Sequence, residues 1–308
     1  MTTTWYSHED CHQHLMPEGH PERVARLEAV TAGLAPLELS RIPAPLAAES
    51  EILRCHPQRY LDRIRASIPK QGLAALDGDT FLSPGSLTAA LRAIGGCNAA
   101  VDAVLSGRAL NAFSGCRPPG HHAEAETPMG FCLFGTAAIA AKYALDHHGL
   151  ERVAIVDFDV HHGNGTQALL WDEPRVLFCS SHQMPLFPGT GAASETGAHG
   201  QIVNAPLSPG SDGEAMRKVY EREILPAVDG FAPELILISA GFDAHEADPL
   251  ANLDWIEDDF AWITEALAGL ADIHCGGRMV STLEGGYDLP ALAASVAAHV
   301  GVMKERGA

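Results

Sequence analysis

Arg152-Val153-Ala154-Ile155-Val156-Asp157-Phe158-Asp159-Val160-His161-His162-Gly163-Asn164-Gly165 is the stretch that decides how this chain folds. Its first half is apolar and β-branched with no polar alternation, the pattern of a strand buried on both faces in a parallel sheet. Its second half is dense in carboxylates and imidazoles. If the strand runs on extended, Asp157, Asp159 and His161 stand at i, i+2 and i+4 and project the same way. Either aspartate alone would serve as a cap or turn residue; the three together have metal-ligand spacing.

Similar apolar runs recur at Leu110 to Phe113, Arg175 to Cys179, Glu234 to Ser239 and Arg278 to Leu283. Between them lie stretches with helical spacing: Ser86 to Leu105, Phe131 to Leu145, Gly213 to Val228, Ile256 to Leu270 and Pro290 to Val302. Strand and helix alternate, so the expected architecture is a parallel sheet with helices on both faces. No linker, charge block or internal repeat interrupts the pattern, and residues 1–308 read as one domain.

Four loops that leave these strands carry the chemistry: Arg117-Pro118-Pro119-Gly120-His121-His122, the Asp157 to Gly165 stretch, Ala240-Gly241-Phe242-Asp243 and Glu284-Gly285-Gly286-Tyr287. Ligands of open α/β sheets bind outside the carboxyl ends of the strands, where such loops converge. Asp243 could therefore close a three-ligand site with open positions for water and substrate. That donor set suits zinc but also iron(II), cobalt(II) or manganese(II). The tandem His121-His122, in a stiff loop near acidic groups, is a candidate acid/base device. His8, His12 and His14 with Cys11 are spaced more loosely and are read as ordinary histidines.

The chain has 39 acidic against 20 basic residues and a formal net charge of -19. Such a field repels nucleic acid and anionic membranes and favours cationic partners, although simple solubility explains it as well. No apolar run reaches the length of a membrane span, and the first residues lack the basic and apolar regions of a leader, so a cytoplasmic location is expected. The seven cysteines include no C-x-x-C pair. They read as reduced, mostly buried thiols.

Six motifs in order now carry a resemblance: Arg117 to Ala123 (RPPGHHA), Gly130-Phe131-Cys132, Asp157 to Thr166 (DFDVHHGNGT), Phe187 to Gly191 (FPGTG), Ser239 to Asp243 (SAGFD) and Glu284 to Tyr287 (EGGY). The chain resembles the histone deacetylase and acetylpolyamine amidohydrolase family, specifically its class II branch and the bacterial deacetylase-like amidohydrolases. The resemblance starts near His20-Pro21-Glu22-Arg23 and covers nearly the whole chain. It implies an arginase-like α/β fold with a parallel sheet of about eight strands, and zinc held by Asp159, His161 and Asp243.

By the same resemblance, His122 matches the general base that later protonates the leaving amine, His121 its electrostatic partner, and Tyr287 the oxyanion donor. Asp157 and Asn164 match the acceptors behind His121 and His122. Backbone carbonyls around Asp157, Asp159 and His161, with the Ser180 side chain, resemble a structural potassium site. Phe131 and Phe187 match the walls of a substrate tunnel, Gly130 the carbonyl that receives the substrate amide, and Arg26 an arginine of an acetate-release channel.

The implied reaction removes an acetyl or short acyl group from a lysine of a protein or peptide, or from a small acetylated amine. Leu250 follows Asp248-Pro249 where polyamine-selective members carry glutamate, which favours acyl-lysine, and no long insertion separates Ala66 from Ser86. Asp79 or Thr80 could touch substrate backbone or simply make a turn. Asp243-Ala244-His245-Glu246-Ala247 resembles a ureohydrolase ligand run, but Ala247 leaves a two-manganese site short of ligands. A non-catalytic acyl-lysine binding module would lack the oxyanion tyrosine, and Tyr287 is present. Oligomeric state is left open.

Overall fold

In the computed structural model, which describes residues 2–307, the side chains of each apolar run alternate between two cores. Ten strands form: β1 (Thr3–Ser7), β2 (Ser40–Pro43), β3 (Ala74–Ala75), β4 (Phe81–Leu82), β5 (Asn111–Ser114), β6 (Val153–Asp157), β7 (Val176–Gln183), β8 (Ile202–Leu207), β9 (Leu235–Ala240) and β10 (Met279–Leu283). β3 and β4 make a small antiparallel ladder. The other eight form one sheet in the order β2-β1-β5-β10-β9-β6-β7-β8, with every pair parallel. The helices are α1 (Ala25–Leu34), α2 (Gln58–Ser67), α3 (Ser86–Leu105), α4 (Thr136–His148), α5 (Asn164–Leu169), α6 (Gly213–Val219), α7 (Leu225–Phe231), α8 (Glu257–Cys275) and α9 (Leu289–Arg306).

Val153 and Ile155 of β6, with Leu235 and Leu237 of β9, pack against α3 and α4 through Val101, Val104, Ala140 and Ala144. Their neighbours Ala154, Val156, Ile236 and Ile238 face the other way, into Phe260 and Ile263 of α8 and Val296 and Val300 of α9. Each strand thus buries both faces, which is why the runs read as continuous rather than alternating.

All five expected strands form, with ends shifted by a residue or so, except that β7 runs on to Gln183. β1, β2 and β8 were not expected. β1 (Thr-Thr-Trp-Tyr-Ser) is polar in composition, β2 is short and mostly exposed, and β8 contains Asn204 and Pro206, a composition tolerated at a sheet edge. The helix expected from Phe131 starts instead at Thr136. Gly130 and Phe131 have φ of 53° and 68°, and this left-handed backbone cannot begin a right-handed helix. The stretch expected as one helix from Gly213 to Val228 is α6, a π-helical turn over Tyr220–Ile224 and α7, where Pro226 removes a backbone donor.

The strand order sets β5, β10, β9 and β6 side by side. Because they are parallel, the loops that follow all four leave the same edge of the sheet. Ile236 lies at the centre of this arrangement and is fully buried. Ile236→Ala is expected to lower unfolding free energy by about 2–5 kcal/mol, measured by urea denaturation with an unchanged slope.

Candidate active site

β6 ends at Asp157, and the chain then bends rather than running on extended. The expected i, i+2, i+4 display is therefore broken after its first member. Asp159 and His161 turn toward Asp243 from the loop after β9, and coordinating atoms of these three buried residues lie within 4.8 Å of one another. His161 Nδ1 stands 3.1 Å from Asp159 Oδ1 and 3.1 Å from Asp243 Oδ2. Asp157 instead points back, with Oδ2 3.0 Å from His121 Nδ1.

Backbone amides hold both carboxylates. Asp159 accepts from the N–H of His161 at 2.9 Å and of Gly285 at 2.8 Å, and Asp243 Oδ1 accepts from Val160 N–H at 2.9 Å. A Cβ on Gly241 would lie 2.1 Å from Asp159 Oδ2, and one on Gly285 would lie 2.2 Å from Asp243 Oδ2, so only glycine admits the carboxylates there. Burial alone would lower the His161 pKa, but bonds to Asp159 and Asp243 push it up to about 10. Two carboxylates and one imidazole in a dry site form a donor set with surplus negative charge, which a divalent cation would balance.

The tandem imidazoles of His121 and His122 are held in opposite states. His121 is buried, which disfavours its charge, yet Asp159 and Asp157 outweigh burial and raise its pKa well above the ordinary value. His122 is lowered well below it by burial, then by the charges of His121 and His161. Asn164 Oδ1 lies 2.7 Å from His122 Nδ1, while the Asn164 amide donates to Glu124 Oε1 at 2.8 Å. That second bond fixes the oxygen toward His122, so Nδ1 carries the proton and Nε2 is left bare.

Tyr287 is 8% exposed, and its phenol is raised well above its usual range by burial and by Asp243. The hydroxyl is therefore a donor at neutral pH. Asp248 Oδ2 accepts from Tyr287 N–H at 2.7 Å, and the Arg26 guanidinium lies 5.0 Å from the Tyr287 ring centre. Arg26 also donates to the carbonyls of Gly286 (2.6 Å) and Glu284 (2.5 Å), so it braces the loop that carries Tyr287.

A cavity of about 260 Å³ leads to this cluster between Phe131 and Phe187, with His122, His161 and Tyr287 at its inner end and Asp79 and Leu250 also lining it. Phe131 packs edge-on to Tyr287 at 5.8 Å and Phe187 to His122 at 5.1 Å. Gly130 is forced, since a Cβ there would meet His122 Cδ2 at 2.3 Å. Phe187 is 43% exposed, unlike a core residue.

Other expected positions fall as follows. Ser180 sits opposite Asp157 in the β6–β7 ladder, and its Oγ lies 3.0 Å from His182 Nδ1. Thr80 Oγ1 accepts from Phe131 N–H at 3.2 Å and bonds Asp79 at 3.1 Å, so that pair shapes the tunnel mouth. His8, Cys11, His12 and His14 do not gather: His14 bonds Ser86 Oγ at 2.7 Å while His8 Nδ1 takes the Asp10 N–H at 3.0 Å. His245 accepts from Ala247 N–H at 3.1 Å and takes no part in the ligand cluster.

Three supporting groups were not singled out by sequence reasoning. Glu284, fully buried, accepts from the N–H of Gly120 (2.7 Å) and His121 (3.1 Å), and burial pushes its carboxyl up to about 7. Asp248 links Tyr287 to the rim through Leu250 N–H. Glu22 bonds both Arg26 and Arg117. Glu284, Asp248 and Glu22 all lie inside stretches quoted above, but nothing in residue type alone separates a buried brace from a surface acid.

An open α/β sheet with a buried carboxylate–imidazole cluster at the carboxyl ends of its central strands defines a class of site that can hold a metal beside an acid/base pair. The Histone deacetylase domain model matches residues 20–303. The chain is 42% identical to the histone deacetylase-like amidohydrolase of Pseudomonas aeruginosa, over 87% of this chain and 71% of that one. It is 39% identical to a probable deacetylase of Archaeoglobus fulgidus, over 94% of this chain and 82% of the other. The crystal structure of the HDA15 HD domain superposes with a TM-score of 0.93 at 34% identity, covering 99% of this chain and 89% of that one. The chain belongs to the histone deacetylase family, and is a hydrolase acting on amide bonds. Among the described residues no helix is long and apolar enough to cross a membrane.

The glycine cradle can be tested without turnover. Gly285→Ala forces its Cβ against both Asp243 and Asp159, and the expected result is at least about tenfold weaker metal retention, read by competition with a chelator, in a protein that still folds.

Proposed function

We propose that this protein is a zinc-dependent deacylase that removes acetyl or other short acyl groups from the lysine side chains of proteins or peptides. The observation that carries the proposal is the three-ligand cluster Asp159, His161 and Asp243 at the inner end of an aromatic-walled cavity, flanked by His122 and Tyr287. An apolar slot with one polar end suits a methylene chain that ends in an amide.

Asp159, His161 and Asp243 would hold a divalent ion, which when bound would supply Lewis acidity toward the amide carbonyl and water. Neutral His122, with Nε2 bare, takes the proton of the attacking water and returns it to the leaving amine. Charged His121, held by Asp157, stabilises the negative charge that builds beside it. The neutral Tyr287 hydroxyl donates to the carbonyl oxygen as it gains charge, while Phe131 and Phe187 grip the chain and the Gly130 carbonyl receives the substrate amide N–H. Arg26 stands behind Tyr287, where departing acetate would pass. A structural potassium ion beside Asp157, Asp159, His161 and Ser180 belongs to the same reading, as does a cytoplasmic setting.

Leu250 at the rim, where a glutamate would attract a polyamine, favours acyl-lysine. Steady-state turnover of the zinc-loaded protein on an acetyl-lysine peptide and on acetylated spermidine tests this. Faster peptide turnover is expected; preference for the polyamine would overturn the substrate assignment.

Tyr287→Phe is expected to lower kcat about 100- to 1000-fold on either substrate, with the fold unchanged by circular dichroism. Asn164→Asp gives a second check. A carboxylate favours imidazolium more than an amide does, so the His122 pKa rises, and the base must be neutral to act. The acid limb of the kcat/KM profile should therefore move to higher pH by roughly one unit or more.

A further inference from the structure

At the amino-terminal edge of the sheet, opposite the active site, α3 and α4 both run out just before β5 and β6. Three side chains that the proposed chemistry does not use meet there: Asp102 on the last turn of α3, and His147 and His148 at the end of α4. One coordinating atom of each lies within 4.8 Å of the other two. His148 Nε2 is 2.7 Å from Asp102 Oδ1, and the Tyr143 hydroxyl donates to the same oxygen at 3.0 Å. The His147 ring stacks on Tyr143 at 4.7 Å and stands 5.0 Å from the His148 ring, edge-on at 83°.

A plain ion pair between His148 and Asp102 accounts for only part of this. Successive side chains on an α-helix diverge by about 100°, so neighbouring histidines ordinarily face different ways. Here α4 stops at His148, Gly149 takes φ of 72°, His148 reaches Asp102, and a ring nitrogen of His147 lies within 4.8 Å of the coordinating atoms of both. Arg54, whose guanidinium lies over the Tyr143 ring at 5.3 Å, is engaged by Glu51 at 2.7 Å and Asp146 at 2.9 Å. Arg54 is thus paired elsewhere, and Asp102 is bonded by His148 and the Tyr143 hydroxyl. Two helix carboxyl ends add partial negative charge at the same spot. Tyr143 orients the carboxylate as an outer-shell partner does in metal sites.

We propose that Asp102, His147 and His148 form a second, peripheral site for a divalent transition ion, with water completing the coordination. Two imidazoles and one carboxylate select zinc, nickel or cobalt over magnesium or calcium, which prefer all-oxygen sets. The ion ties the end of α3 to the end of α4. It binds the folded chain alone, so it raises stability in proportion to its occupancy. His148 and Asp102 side chains are 24% and 36% exposed, open enough for an ion to enter from solvent.

The test is a calorimetric titration of zinc-loaded protein with Ni²⁺, alongside thermal unfolding and turnover of an acetyl-lysine peptide. Wild type is expected to bind one Ni²⁺ beyond the zinc already held and to gain thermal stability. The double variant His147→Ala/His148→Ala should lose both effects with turnover unchanged. Asp102→Asn keeps the shape of the cluster and should weaken the second site at least about tenfold. A wild type that takes up no further Ni²⁺, or a second equivalent that survives in both variants, overturns the proposal. Failure of the catalytic-metal reading is distinguishable, because it appears in the zinc content and its insensitivity to Asp243→Asn.

Discussion

Burial of negative charge at one edge of the sheet is the constraint around which the site is built. Asp157, Asp159, Asp243 and Glu284 are each at most 1% exposed, and an ion taken out of water costs several kcal/mol even after relaxation. Every loop that reaches the site supplies compensation. Backbone amides of Val160, His161 and Gly285 cap Asp159 and Asp243, and those of Gly120 and His121 cap Glu284. His121 contributes positive charge, and His161 places a ring nitrogen 3.1 Å from both Asp159 and Asp243. The glycines at 241 and 285 are consequences of the same crowding, because any side chain there would displace a carboxylate.

Those charges also set the division of labour between the tandem histidines. They are adjacent in sequence with ring centres 4.0 Å apart, so they cannot both be charged at small cost. Asp157 and Asp159 hold the proton on His121, and that charge helps keep His122 neutral. The difference in partner, a carboxylate behind His121 and an amide behind His122, helps push two chemically identical side chains toward opposite protonation states. The same electrostatic logic extends outward: a chain with a net charge of -19 repels anionic surfaces.

Much of this was legible in the sequence, for physical reasons. Central strands such as Val153 to Asp157 are buried on both faces and advertise themselves by unbroken apolarity. The motif residues after them are rare combinations of acid, imidazole and glycine. Edge strands obey no such demand, and β2 and β8 passed unseen because Arg41, Asn204 and Pro206 are tolerable where a strand meets solvent or a single neighbour. The helix expected at Phe131 failed because Gly130 and Phe131 adopt a left-handed turn beside the cavity, a local conformation imposed by contact with His122 and Thr80 rather than by propensity. The roles of Glu284, Asp248 and Glu22 were hidden because each depends on what the fold brings to it from far along the chain.

The most direct measurement is a metal titration of the chelator-stripped protein with Zn²⁺, followed in parallel by binding and by turnover of an acetyl-lysine peptide, in wild type and Asp243→Asn. Turnover that is absent after stripping, returns in proportion to the first equivalent of Zn²⁺, and does not return in the variant would bear out a catalytic ion held by Asp159, His161 and Asp243. Full turnover in the stripped protein, or restoration in the variant at the same zinc concentration, would contradict it.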